Sequence, residues 1–292
     1  MRHNRSGCSF VPSKTAPPSF QISAFVAPQF DGARIAKASD PRLFIYSVEK
    51  ALRILYALNE DRSLSIAEIA RKTGFGRSAT QRFVYTLEQL RYLRRDPATR
   101  RYSLSPRVLD FACSYLVTDP LVSVAVRHLS EAAAKAGEAF ALTEMDETDI
   151  TVIARVPGRH AVGANSAVGM RFPAFCSAPG RAMLAFLPPE EALAVIDRTD
   201  LKPLTKRTVT TRSKLVELLE ETRRDGYCIA EEEIALDAVS VAAPVFDLAG
   251  RPIAAVNAFA PLSRWPRRTA ERNLVPVVRE AAQELSRAMA AR

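Results

Sequence analysis

Histidine, cysteine and tryptophan are scarce here: three, four and one in 292 residues. Each scarcity narrows the chemistry available. Cys8, Cys113, Cys176 and Cys228 are widely spaced. They make no CxxC pair and no disulfide framework, which fits a reducing cytoplasm. His3, His128 and His160 lie far apart in the chain, off the spacings of a zinc site, so no metal is expected. There is no Walker loop and no dinucleotide fingerprint, so no nucleotide cofactor is expected either. No stretch approaches the roughly 18–20 apolar residues of a membrane span. The first residues lack the charged, apolar and cleavage regions of a signal peptide. The reading is a cytoplasmic protein without cofactor or membrane partner.

Acidic charge is short in one part only. Residues 1–120 hold 19 Lys/Arg against 10 Asp/Glu, whereas residues 121–292 hold 22 of each. The whole net charge of +9 therefore sits in the first part. A basic module joined to a neutral one implies a polyanionic partner for the first alone. A basic surface kept for solubility is the plainer alternative. With 48% hydrophobic residues the chain can bury real cores, and its length suits two domains.

Residues 1–42 carry Pro12, Pro17, Pro18, Pro28 and Pro41 without periodicity and read as a disordered extension. Residues 43–105 read as three helices and a hairpin. Val48, Ala51, Leu52, Leu55 and Leu58 recur at helical spacing after Ser47, a candidate N-cap. Ser65 and Glu68 form an S-x-x-E capping box before a helix that Gly74 ends, and Ser78 and Gln81 suggest a second box. Ala79, Phe83, Thr86, Leu87 and Leu90 are expected inside; Gln81, Tyr85 and Glu88 outside. "YLRRDPATRRYSLS" reads as strands at 92–95 and 101–104 around a tight turn.

Three helices and a basic hairpin in this order make a winged helix-turn-helix. Gln81, Arg82 and Tyr85 are expected in a major groove, with Arg77 and Ser78 near phosphates. Arg94, Arg95, Arg100 and Arg101 place cations on the hairpin, where they are expected to lie along phosphates or dip into a minor groove. A winged helix that binds protein instead of double-stranded DNA is the alternative.

Residues 106–119 read as an apolar linker helix that packs either on a second subunit or in its own core. Residues 120–292 read as helix to Gly137, strands near 139–145, 149–156 and 161–165, helices near 178–187, 189–197 and 211–224, strands at 226–231, 239–246 and 252–260, and a last helix. Hairpin turns at "DETD" and "DLAG" point to an antiparallel sheet flanked by helices, an α+β domain suited to a small-molecule pocket.

From about residue 44 onward the chain resembles the IclR family of bacterial transcriptional regulators. The resemblance is carried by "SVEKALRIL", "LSIAEIARKTGFGRSATQRFVYTLEQLRYL", "RYSLSPRVLDFACSYL", "CSAPGRAMLAFLP" and "RDGYCIAEEEIALDAVSVAAPVFDLAGRPIAAVNA". It implies a winged helix-turn-helix followed by a GAF-like effector-binding domain. "VIARVP", "RFPAFCSAPGRAMLA" and "PLTKRTVT" look closest to the branch governing aromatic-acid catabolism through the β-ketoadipate pathway. Asp237 stands where members usually carry glycine; Asp tolerates a left-handed backbone better than most residues but less well than Gly, so a changed turn that reshapes the pocket or blunts the effector response is the concern there.

By position, the resemblance places the ligand beside Cys176, Ala178, Pro179, Ser240, Asn257 and Phe259. Arg155 and Arg171 are the candidate cations for an acidic ligand. Phe259 suits a flat ring, so an aromatic carboxylate of the protocatechuate or 4-hydroxybenzoate type is expected. Cys176 precedes a helix but has no histidine in sight, so no catalytic residue is assigned. Glu231–Glu233 read as a solvated carboxylate cluster. The sum is a ligand-responsive regulator that binds a palindromic operator as a homodimer or a dimer of dimers. The alternatives are a protein-binding adaptor, a regulator of oxo-acid metabolism, and an enzyme with an accessory DNA-binding domain.

Overall fold

The computed structural model describes residues 40, 42–59, 61–159 and 167–291. Apart from Asp40 and Arg42, the expected extension over 1–42 lies outside them, as does the expected strand over 161–165.

Three helices build the first domain: α1 (Tyr46–Ala57), α2 (Ile66–Thr73) and α3 (Arg77–Gln89). Ser47 is not the cap of α1. The amides of Val48 and Glu49 both close on the Ile45 carbonyl, so the first turn begins at Tyr46. The capping box of α2 is present: the Ser65 amide donates to Glu68 Oε2 at 2.8 Å and the Glu68 amide to Ser65 Oγ at 3.4 Å. Gly74 ends α2 at φ +72, where a side chain would be strained. The second expected box is absent. The Thr80 amide bonds the Gly76 carbonyl at 3.0 Å, so Gly76 caps α3 and Ser78 lies inside the first turn.

The buried stripe of α3 is Thr80, Val84 and Leu87, with Phe83 and Glu88 at its margins. Ala79, Thr86 and Leu90, expected inside, are exposed, and Glu88, expected outside, is half-buried. The observed row runs i, i+4, i+7 from Thr80, whose hydroxyl bonds the Gly76 carbonyl at 3.1 Å and is thereby satisfied in the core. The stripe joins Ile54, Leu58, Leu64, Ile69, Leu93 and Tyr102 in one core.

Strands β1 (Leu93–Arg95) and β2 (Tyr102–Leu104) pair antiparallel, with Arg94 opposite Ser103. The turn between them is held by Asp96 Oδ1, which accepts from the amides of Ala98 and Thr99 at 2.8 and 3.0 Å. Leu64 pairs with Tyr102 through two backbone bonds of 2.7 and 2.8 Å and fastens the hairpin to the helices.

Ser105 then caps a 3₁₀ turn, Pro106–Val108, that leads into α4 (Leu109–Thr118). No residue of α4 is buried. Asp119 Oδ1 accepts from the amides of Leu121 and Val122 and starts α5 (Pro120–Ala136), bent 81° from the linker. No single helix among the described residues is long and apolar enough to cross a membrane.

The second domain is built on one antiparallel sheet. Its strands are β3 (Ala139–Asp146), β4 (Asp149–Val156), β5 (Arg171–Pro173), β6 (Cys228–Glu231), β7 (Ala238–Phe246) and β8 (Pro252–Pro261). Their order is β5-β4-β3-β8-β7-β6. Three residues long, β5 is too short to show a period in sequence. Its longer helices after α5 are α6 (Ala178–Leu184), α7 (Pro189–Arg198), α8 (Arg212–Asp225) and α9 (Val275–Ala290).

Alternation along the strands divides the interior in two. Phe140, Leu142, Val239, Val241, Val256 and Ala258 pack with Leu129 of α5 and Leu285 of α9. Ala141, Ala230, Ala242 and Ala255 face the other way, with Ala178 and Met183 of α6 and Leu215 of α8. The second face is floored by alanines, against which α6 and α8 pack.

Asp237 adopts φ +53, a left-handed turn. Its carboxylate accepts from the Ser263 amide at 2.7 Å and the Ser263 hydroxyl at 3.0 Å. A glycine could not make these two bonds.

Candidate functional site

Two surfaces gather the residues singled out above. On α3, Arg77, Ser78, Gln81, Arg82 and Tyr85 are all exposed, on the side away from Thr80, Val84 and Leu87. Tyr85 keeps 61% of its surface. Among the described residues none of these five side chains has an internal polar partner. A helix whose outer face offers a guanidinium, an amide and a phenol with nothing to hold can reach a nucleic-acid groove.

The hairpin divides its arginines. Arg94, Arg95 and Arg100 are exposed, and Arg100 stands at the tip with φ +55. Arg101 is turned inward. Its Nε donates to Ser63 Oγ at 3.2 Å, and its Nη2 reaches the Ser63 carbonyl and Glu68 Oε2 at 2.9 Å each. The bonds from Ser65, and then Arg101, hold the Glu68 carboxyl down at about 2. Arg101 therefore braces the hairpin against α2 and is poorly placed for phosphate contact, because it sits one residue beyond the tip on the side facing the helices.

The alanine-floored face of the sheet carries the second set. Strand register places residues directly opposite one another on the same face. Ala141 is opposite Arg155 on one side and Asn257 on the other, and Asn257 is opposite Ala242, itself opposite Cys228. One row therefore runs Arg155, Ala141, Asn257, Ala242, Cys228 across five strands. The next row runs Ala139, Phe259, Ser240, Ala230. Arg155 and Asn257 flank Ala141 with two strand spacings, about 10 Å, between their backbones.

Asn257 Oδ1 is buried and has no hydrogen-bond partner. An orphaned buried acceptor costs about 1–3 kcal/mol unless something donates to it. Arg155 is half-buried, and burial lowers its pKa from the usual guanidinium value. Arg171, the other candidate cation, lies on β5. It binds Asp146 at 2.5 Å and Asp149 at 3.4 Å, which ties β5 to the β3–β4 hairpin.

Over the floor sits the first turn of α6. Cys176 is fully buried, and burial pushes its thiol up to about 12, so it is neutral at physiological pH and a poor nucleophile. Ala178 and Pro179 are buried beside it. Pro179 has no N–H, and the Gly180 amide donates to Ser177 Oγ at 3.1 Å. Neither residue therefore offers an N–H to a ligand at this helix start. Gly180 permits the packing, since a Cβ there would lie 2.3 Å from the Ala174 carbonyl oxygen.

The sequence reading missed what holds this turn. Arg181 is 1% exposed and makes a two-pronged ion pair with Glu233, both N···O distances 2.6 Å, while its Nε donates to the Phe175 carbonyl at 2.7 Å. The Val209 amide donates to the same carboxylate at 3.0 Å. Glu231–Glu233 are thus no solvated cluster: Glu231 pairs with Arg267, Glu232 holds the Asp237 amide, and Glu233 is buried. The available signal was an arginine inside the apolar run "APGRAMLAF".

A groove of 560 Å³ opens at the opposite end of β3 and β8, lined by Met145, Met183, Val195, Arg251 and Ile253. None of the residues expected to bind ligand lines it.

Known proteins show the same organisation. Residues 47–97 match a family model described as the IclR helix-turn-helix domain, and residues 113–287 one described as the bacterial transcriptional regulator IclR C-terminal domain. The Pca regulon regulatory protein of Pseudomonas putida is 29% identical over 282 residues, 96% of this chain and 92% of that protein. The p-hydroxybenzoate hydroxylase transcriptional activator of Acinetobacter baylyi is 31% identical over 248 residues, 83% of this chain and 91% of that protein. An IclR homolog from Microbacterium hydrocarbonoxydans, solved in complex with 4-hydroxybenzoate, superposes with a TM-score of 0.70 at 26% identity, covering 83% of this chain and 98% of its own.

Proposed function

The chain belongs to the IclR family of bacterial transcriptional regulators, and from that membership we propose that it binds a hydroxylated aromatic acid and alters its hold on operator DNA in response. The observation that carries the ligand class is the buried, unpartnered Asn257 Oδ1 on a floor that also bears Arg155. An acceptor without a donor calls for a ligand hydroxyl. Arg155, about 10 Å away by strand spacing, is the cation we place against the ligand carboxylate. Between them in the row lies Ala141, a small side chain, with Phe259 in the neighbouring row, and it is there that we place the flat ring. A para-hydroxybenzoate places its two polar ends in that order. Relatives that regulate the Pca regulon and p-hydroxybenzoate hydroxylase, and a neighbouring structure holding 4-hydroxybenzoate, support the same reading.

The DNA partner is a palindromic operator read by Gln81, Arg82 and Tyr85, with Arg77, Ser78 and Arg100 near phosphates. One helix-turn-helix reads few base pairs, so two must act together. Exposed Leu43, Ile45, Tyr46, Val48 and Leu52 around α1, and Leu109, Phe111 and Val117 on α4, give a second copy an apolar surface to cover. Ligand binding changes transcription by favouring one arrangement of the paired winged domains, for which a coupling of about 1–3 kcal/mol is enough.

The test is fluorescence anisotropy on a labelled fragment of the upstream intergenic DNA, titrated with and without 4-hydroxybenzoate. The proposal expects a several-fold shift in the midpoint with the hydroxy acid. No specific retention of the fragment under any condition would favour the adaptor reading.

A further inference from the structure

On the face of the sheet away from the alanine floor, α5 and α9 bring together three side chains that no step above uses. His128 and Glu131 stand one turn apart on α5, and Glu284 projects from α9. Their ligand-capable atoms all lie within 4.8 Å of one another. His128 Nδ1 and Glu284 Oε2 are 3.0 Å apart. We propose that His128, Glu131 and Glu284 form a binding site for a borderline divalent cation, Zn²⁺ foremost, that clamps α5 to α9.

The sequence hides this site, since the histidine is 156 residues from Glu284. The fold supplies the spacing. Ala125, Ala132 and Ala133 of α5 and Ala281 and Ala282 of α9 are buried in one core, which lets the two helices approach closely. The i, i+3 pair shares one side of α5, so its two donors are presented together.

Edges of a tetrahedral zinc site with bonds of about 2.0–2.1 Å are about 3.3 Å long. The His128–Glu284 separation is already close to that edge, and the remaining separations close by rotation about the glutamate χ angles. One imidazole nitrogen and two carboxylates suit a borderline ion better than Ca²⁺ or Mg²⁺, which take oxygen alone. Three protein donors leave the fourth position for water. His128 is only 17% exposed at its side chain, which shields the imidazole from competing hydration. Two cations stand close to the acids: Arg127, paired with Glu131 at 3.0 Å, and Lys135, held by Glu280 at 2.8 Å. Arg127 is 81% exposed and swings away at little cost, while Lys135 is already neutralised.

The experiment is calorimetry of Zn²⁺ into the full, tag-free chain, alongside His128→Ala, Glu284→Gln and Glu131→Gln. The proposal expects one high-affinity equivalent that weakens at least tenfold in each variant, and a rise in unfolding temperature with Zn²⁺ that the variants lose. Glu131 is half-exposed, so its variant keeps the test open should His128→Ala fail to fold. The Co²⁺ form should show visible d–d bands without a thiolate charge-transfer band, which separates this site from any at cysteine. No high-affinity equivalent, an affinity unchanged by the three variants, or a thiolate band in the Co²⁺ form would overturn the proposal.

Discussion

The phenol of Tyr115, on the linker helix, donates a hydrogen bond to the Glu144 carboxylate on β3. Tyr115 belongs to the only covalent path between the winged domain and the sheet. Glu144 lies three residues from Ala141, the centre of the proposed ligand floor. The bond is therefore placed to pass a shift of β3 to the linker. Tyr115→Phe removes the donor and keeps the ring. We expect unchanged operator affinity without ligand, unchanged ligand affinity, and a ligand-induced shift in operator midpoint reduced at least threefold, all read by anisotropy and calorimetry on one preparation. A full shift in the variant would remove Tyr115 from the coupling.

Burial raises the Glu144 pKa above 4.5, and nearby Asp119 adds to this against the Tyr115 hydrogen bond, which lowers it. The folded state therefore binds this proton more tightly than the unfolded state does. Its contribution to stability is full below the ordinary carboxylate value and is lost as pH rises through the raised one. Glu144→Gln keeps an acceptor for Tyr115 and removes the titration. The unfolding temperature of the variant should equal or exceed that of the wild type at neutral pH, and the gap should close as pH falls toward 4.5. A gap that widens on acidification would reverse the assignment.

Arg181 and Glu233 are expected to behave as a buried pair. Removing one partner strands the other charge, at a cost of about 3–5 kcal/mol. Arg181→Met should therefore unfold at markedly lower denaturant than the wild type, and Arg181→Met with Glu233→Leu should recover part of the loss. Equal stability in all three would mean the pair is solvated in solution.

Much of this fold was readable because local signals agreed with the global one. The Ser65–Glu68 box, Gly74 and the alternating strands from Ala238 to Pro261 each have a short-range cause. Ser47 and Ser78 misled because a serine near a helix start is only a candidate cap; which carbonyl the first amides close on decides the boundary. The pocket residues were placed by family resemblance, and the alanine floor became visible only through register. Arg101, Arg171 and Glu233 could not be read correctly, since their partners lie 38, 25 and 52 residues away.

On the DNA side, Gln81→Ala should cost about 1–3 kcal/mol on the specific operator and little on unrelated sequence. Arg100→Ala should lower affinity for all sequences and reduce the salt slope by about 1. Arg101→Ala should leave the slope near that of the wild type and lower the unfolding temperature, because it breaks the brace to Ser63 and Glu68. Filter binding across a salt series, paired with thermal melts, checks all three. A slope change at Arg101 larger than at Arg100 would place the inner arginine on the phosphates after all.

The central claim, a hydroxylated aromatic acid held between Asn257 and Arg155, is tested most directly by calorimetry. The titrants are 4-hydroxybenzoate, protocatechuate, benzoate, glyoxylate and pyruvate, into the full chain and into Asn257→Leu. The account predicts binding of one or both hydroxybenzoates, at least tenfold weaker binding of benzoate, and a comparable loss of hydroxybenzoate affinity in Asn257→Leu. Tight binding of glyoxylate or pyruvate with none of any aromatic acid would contradict it.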